Sequence, residues 1–113
     1  MAGGLDLQPF RKNDWDLEGV LGNPVQHWEN WKNNSVVNLI PLIEGVPMDL
    51  ILDCGDGDFF LKANRKMHNR LLKAGIPHEY TERPGEHNGD YWGNAVDYQV
   101  LFFHKFFERT ARR

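Results

Sequence analysis

The spacing of hydrophobic residues changes character at Pro47. Before it, apolar positions come in short groups separated by turn residues. Residues 1–13 hold two glycines, a proline and few periodic apolar positions, so they read as irregular chain. Asp14 is placed to cap a short helix running to Gly19, with Trp15 and Val20 on its apolar side. After the Gly22-Asn23-Pro24 break, Val25 to Asn33 predicts a helix in which Trp28 and Trp31, three apart, share one face. Ser35 to Ile40 reads as a further short helix or turn, stopped by Pro41.

Beyond Pro47 the segments lengthen. MDLILDCG is a short apolar run ending in glycine, the pattern of a strand buried on both faces. In DGDFFLKANRKMHNRLLKAG, residues Phe60, Ala63, Met67, Leu71 and Ala74 recur at three and four, which predicts an amphipathic helix. Asp58 stands at its expected N-cap position and Gly75 just past its end. In IPHEYTERPG, Ile76, His78 and Tyr80 alternate with more polar neighbours, predicting a strand with one wetter face near a sheet edge. From Asp90 to about Arg109 the pattern is a long helix, so apolar through VLFFHKFF that it is expected to be well covered.

Strand, helix, strand, helix is a βαβα unit, and the expected fold class is α/β with two parallel strands joined by a right-handed crossover. The expected division is 1–46, short helices and loops, and 47–113, the βαβα unit. Two strands are too few for a whole α/β sheet, so the chain reads as one piece of a larger fold.

Composition narrows the function. The net charge of -3 over 113 residues gives no reason to expect a nucleic-acid partner, and the one basic cluster, Arg109, Arg112 and Arg113, reads as a solvated helix end. No apolar run approaches the ~20 residues that span a membrane. The opening MAGGLDLQPF lacks the basic start and apolar core of a signal peptide, so the expected location is cytoplasmic. Cys54 stands alone, so no internal disulfide forms.

Ligands and catalytic groups in parallel α/β sheets gather at the carboxyl ends of the strands. Two glycine-rich loops leave such ends here, Asp53 to Phe60 and RPGEHNGDYW, and they present Asp58 and His87. Each residue has a simple structural explanation. Asp58 suffices as a helix cap, and His87 as an exposed loop residue before a helix capped by Asp90. Together they form the last two members of a nucleophile, base and orienter system. The carboxylate would accept from one ring nitrogen and fix the tautomer, and the other nitrogen would take a proton. Asp53, Asp56 and Asp58 do not follow a calcium-loop spacing, and His27, His68, His78, His87 and His104 form no zinc motif, so no metal and no cofactor is expected. His68 and His104 are expected to make only local hydrogen bonds within their helices. Trp28, Trp31, Tyr91 and Trp92 serve core and cap packing, with Trp92 a candidate for lining a substrate pocket.

PMDLILDCGDGDFF and NRKMHNRLLKAGIPHEYTERPGEHNGDYWGNAVDYQVLFFHKFF resemble the C-terminal part of α/β-hydrolases similar to esterase D, S-formylglutathione hydrolase and feruloyl esterase domains. AGGLDLQPF resembles the family segment in which small residues precede an acidic position, so the resemblance covers nearly the whole chain. It implies a partial α/β-hydrolase fold and a serine carboxylesterase-type activity on a small-molecule ester, with no cofactor. The family order is Ser, Asp, His, and its acid and base fall on Asp58 and His87. This chain departs from the pattern at Glu86, where a second glycine is usual, and at Gly89, where an aromatic is common. It also contains no Gly-x-Ser-x-Gly elbow; its single serine is Ser35. Neither Cys54, at the end of an apolar strand among acids, nor Thr81 is placed to substitute. The expectation is a C-terminal hydrolase portion carrying acid and base, inactive alone and self-associating through its free sheet edge as a homo-oligomer. The alternative is a non-catalytic associating module or a truncated remnant.

Overall fold

The computed structural model describes residues 2–8, 10 and 14–112. Parts of the expectations for the N-terminal stretch and for Arg113 lie outside these residues. Strands β1 (Ile51–Gly55) and β2 (Glu79–Arg83) run parallel, with Ile51 opposite Glu79 and Gly55 opposite Arg83. They are joined by helix α3 (Leu61–Lys73), and helix α4 (Gly89–Ala111) follows β2. Ahead of β1 lie a 3-10 turn over Asp14–Asp16, helices α1 (Leu17–Leu21) and α2 (Trp28–Asn33), and 3-10 turns over Val36–Asn38 and Ile40–Leu42. The fold is α/β: a two-stranded parallel sheet with helices, in the order the hydrophobic pattern predicts.

Alternation along β1 sends its side chains to two layers. Leu52 turns toward α3 and packs with Met67, Leu71, Val37 and Ile40, flanked by Leu5, Ile43, Leu50, Ile76 and Tyr80. Met67 and Leu71 are four apart and so fall on one face of α3, and full burial of a side chain like Leu71 stabilises by roughly 1.5–3 kcal/mol. Asp53 turns the other way, toward Tyr91 of α4, which is buried with Ala95 and Gln99 one and two turns on. Polar ties bind the N-terminal region to α3. Arg70 Nη1 donates to Val37 O and Asn38 Oδ1, both at 2.7 Å, and Lys66 Nζ pairs with buried Asp6 at 2.7 Å. Among the described residues no helix is long and apolar enough to cross a membrane.

Several expectations need correction. Pro41 does not stop the region before it but sits inside the second 3-10 turn, near its start, where a missing N–H costs nothing. Val25 to Asn33 is helical only from Trp28, and the two tryptophans do not share a buried face. Trp31 is buried with its Nε1 donating to Gly22 O at 2.9 Å, whereas Trp28 is exposed beneath Lys32. α3 starts at Leu61 rather than directly after Asp58, and α4 is capped by Asn88, whose Oδ1 accepts from Tyr91 N at 3.1 Å, not by Asp90. The largest correction concerns α4, expected to be well covered. Val96, Val100, Leu101, Phe103 and Phe107 are exposed. Val96 and Leu101 lie off the face that Tyr91, Ala95 and Gln99 turn to the sheet, and for the residues further along the reason is length. Five-residue strands extend about 17 Å, whereas a 23-residue helix extends about 35 Å, so these strands cannot cover its far half.

Candidate functional site

The carboxyl ends of β1 and β2 carry loops that fold against each other. Asp56 N donates to Arg83 O at 2.9 Å, Gly57 N to Gly85 O at 2.8 Å, and Gly85 N to Asp56 Oδ1 at 3.2 Å. Two glycines permit this approach. A Cβ on Gly55 would stand 2.4 Å from Gly85 O, and one on Gly85, at φ +139°, would stand 2.7 Å from the Tyr91 ring. These clashes explain glycine at the end of an otherwise apolar strand.

The closed loops bring Asp58 and His87 together, as expected for an acid and a base. Asp58 Oδ2 and His87 Nδ1 are 2.9 Å apart, with the carboxylate buried and the imidazole side chain 23 % exposed. The other carboxylate oxygen, Oδ1, accepts from Phe60 N at 2.8 Å, and Asp58 O accepts from Leu61 N. Asp58 is therefore not the N-cap of α3, a position that falls to Phe60, but closes a turn just ahead of the helix while its other oxygen meets the histidine. With Nδ1–H donated to a carboxylate, the neutral ring keeps Nε2 as a bare acceptor, the form a general base requires.

Aromatic rings wall the imidazole. Trp92 meets it edge-on with centroids 4.8 Å apart, Phe60 at 5.1 Å, and Phe59 tilted at 4.7 Å. Trp15 stacks beyond Phe59 at 6.2 Å and lies with Asp16 in the left-handed backbone region, at φ 48° and 56°. Trp92 thus lies against His87, and its Nε1 is buried with no hydrogen-bond partner. Phe59, Phe60 and Trp15 were not anticipated. Two phenylalanines after an Asp read as the start of an amphipathic helix, and only the loop's turn faces Phe59 toward His87.

The other candidates are occupied elsewhere. Ser35 is fully buried, its Oγ donating to Trp31 O at 2.8 Å and accepting from Leu7 N at 2.9 Å. Cys54 is fully buried, and burial followed by the nearby Asp58 pushes its thiol up to about 12. Of the three loop acids, Asp53 is pinned beneath the site by Arg83 and Tyr91 rather than turned to solvent with Asp56. Burial and the bond to Asp53 hold the Tyr91 phenol well above its ordinary range. No spacing in the sequence points to this network, because Arg83 and Tyr91 reach Asp53 only through the pairing of β1 with β2 and the packing of α4. Among the described residues no group of three or more His, Cys, Asp or Glu side chains is arranged to hold a metal ion.

His68 also departs from expectation. Its partner is not local but lies ten residues on: Nδ1 meets His78 Nε2 at 2.7 Å, while the ring stacks on Tyr80 at 4.1 Å. His78 Nδ1 lies 2.9 Å from Ile76 O and must donate to it, so the neutral His78 accepts through Nε2 from His68 Nδ1–H. The rings meet almost head-on, with centroids 4.9 Å apart, which makes this a hydrogen bond and not a chelate. His104 stays local, 3.4 Å from Glu108 one turn away.

No family model matches the chain. An acetyl esterase of Caldicellulosiruptor saccharolyticus is 26% identical over 87 residues, covering 77% of this chain and 30% of that protein. The solved structure of a ferulic acid esterase is 29% identical with a TM-score of 0.54, covering 68% of this chain and 31% of that one. The chain therefore spans about a third of the length of each. These likenesses relate it, at low identity, to esterases of the α/β-hydrolase type.

Proposed function

We propose that this chain is the C-terminal portion of a serine carboxylic-ester hydrolase, with Asp58 as the orienting acid and His87 as the base. The observation that carries the reading is the 2.9 Å contact between Asp58 Oδ2 and His87 Nδ1, made at the carboxyl ends of two adjacent parallel strands. The likeness to an acetyl esterase and a ferulic acid esterase supports it. His87 Nε2 would take the proton of a serine hydroxyl as its oxygen attacks the ester carbonyl carbon, and then return it to the leaving alcohol oxygen. Water, deprotonated by the same nitrogen, would release the acid. Asp58 would hold the tautomer and stabilise the imidazolium between these transfers. Trp92, Phe59 and Phe60 would form one wall of the pocket for a small-molecule ester. The serine would come from outside these 113 residues, so the chain by itself is expected to be inactive.

Two measurements test this. A fluorophosphonate probe followed by mass spectrometry should leave the folded chain unmodified. A stoichiometric adduct, lost in His87→Ala, would mean a nucleophile is already present. The His87 Nδ1 proton should appear as a low-field resonance in the wild type and vanish in Asp58→Ala. Its absence from the folded wild type would remove the basis for assigning acid and base.

A further inference from the structure

β1 and the loop that follows it bring two buried carboxylates to the segment that carries His87, and the two meet it differently. Asp58, in the loop, bonds the imidazole itself. Asp53, inside the strand, bonds the two ends of the segment instead. Its Oδ2 accepts from Arg83 Nη1, on the last residue of β2, and its Oδ1 accepts from the Tyr91 phenol, in the first turn of α4. His87 stands midway, four residues from each.

Each end is also held by a second contact. The Arg83 guanidinium lies over the Tyr98 ring, 4.0 Å from its centroid, and Arg83 O accepts from Asp56 N at 2.9 Å. The Tyr91 ring packs against Gly85, where an added Cβ would meet it at 2.7 Å. Tyr91 N donates to Asn88 Oδ1 at 3.1 Å. Asp53 has no exposed surface, and a carboxylate so buried is costly unless its oxygens are bonded. Both oxygens are bonded here, one to each end of segment 83–91. A segment tied at both ends keeps fewer conformations than one tied at a single end.

We infer that Asp53 is a positioning residue for His87: by joining Arg83 to Tyr91 it closes segment 83–91 and sets the imidazole where Asp58 can hold it. The inference rests on the reading of His87 as the base. The Asp58 bond fixes which ring nitrogen carries the proton, but it does not by itself fix where the loop places the ring. Placement matters, because a shift of about 1 Å in a catalytic group can cost about 100-fold in rate. Asp53 acts through the loop and not on the ester. The arrangement also explains a buried acid within an apolar strand, which a merely hydrophobic layer between β1 and α4 would not require.

The test reads how fast the His87 Nδ1 proton exchanges with water, by nuclear magnetic resonance on the folded chain. Tyr91→Phe keeps the ring against Gly85 and removes only the phenol oxygen. It should speed the exchange about 10-fold or more, the factor that loss of one hydrogen bond to a charged group is worth, with the far-ultraviolet signal unchanged. Arg83→Lys keeps the charge but loses the planar fork. It should act in the same direction, and it decides the matter should Tyr91→Phe not fold. Ile40→Val thins the core on the other layer of the sheet and should leave the exchange at the wild-type rate. An exchange rate unmoved by Tyr91→Phe, or raised as much by Ile40→Val, overturns the inference and leaves Asp58 and His87 as acid and base. A folded wild type without the resonance overturns that reading itself, and the inference falls with it.

Discussion

At its N-terminal end α4 is tied down by polar contacts: Asn88 caps it, Tyr91 reaches Asp53, and Tyr98 lies over Arg83. Its C-terminal half, among the described residues, is tied to the rest of the chain by the pair Arg109 and Asp49, and turns Val100, Phe103 and Phe107 outward. The same helix is thus specified by directional bonds where it serves the Asp58 and His87 loops, and by unspent apolar surface where it does not. Apolar burial is non-directional and proportional to area, so it places a helix near a partner without fixing it. The hydrogen bonds beneath the site do the fixing, because a buried polar group left unpaired is costly.

The comparison can be broken from the polar end first. Asp53→Asn leaves the Arg83 guanidinium without its carboxylate, and loss of one partner of a buried ion pair is expected to cost about 3 kcal/mol. Urea unfolding should show this, together with loss of the His87 Nδ1 proton signal as the loops separate. Gly85→Ala should come next, at about 2 kcal/mol, because the backbone is at φ +139° and the new methyl meets Tyr91. Here the loop should open before the core does, so the ring-proton signal should weaken more than the far-ultraviolet signal.

Alkaline pH sharpens the contrast. The Cys54 thiol is pushed up to about 12 from an ordinary value near 9. The native state holds this proton more tightly than the unfolded chain does. Its contribution to stability is therefore complete below about pH 9 and declines as pH rises toward 12. The phenols of Tyr80 and Tyr91, raised by burial, act in the same direction. Cys54→Ala should lose less stability than wild type between pH 8 and pH 11, and iodoacetamide at pH 8 should modify Cys54 only after unfolding. The smallest effect belongs to the apolar end. Phe107→Ser, at a residue 63% exposed, should change the monomer's stability by no more than about 0.5 kcal/mol. A loss of several times that, measured at a concentration too low for association, would show that the helix end is packed after all.

Much of this was legible from residue order. The β1 run, the Met67 and Leu71 face of α3, and the pairing of Asp58 with His87 all follow from local period and from where parallel strands present their loops. What escaped depends on neighbours far along the chain. The uncovered half of α4 could not be foreseen, because periodicity tells which residues seek cover and not how far the covering strands extend. Arg83 and Asp53 are thirty residues apart and meet because of the β1 and β2 register. The His68 and His78 pair depends on the angle at which α3 rests on the sheet, which no spacing encodes. Trp28 and Trp31 illustrate the converse: a shared helical face says nothing about which part of it the core reaches.

The edge-on contact between Trp92 and His87, 4.8 Å from centroid to centroid, makes the molecule its own optical reporter. A protonated imidazole accepts an electron from an excited indole far more readily than a neutral one. Each proton that arrives on His87 should therefore darken Trp92, and the share of the emission that Trp92→Phe removes becomes a report on the base itself, read without substrate or label.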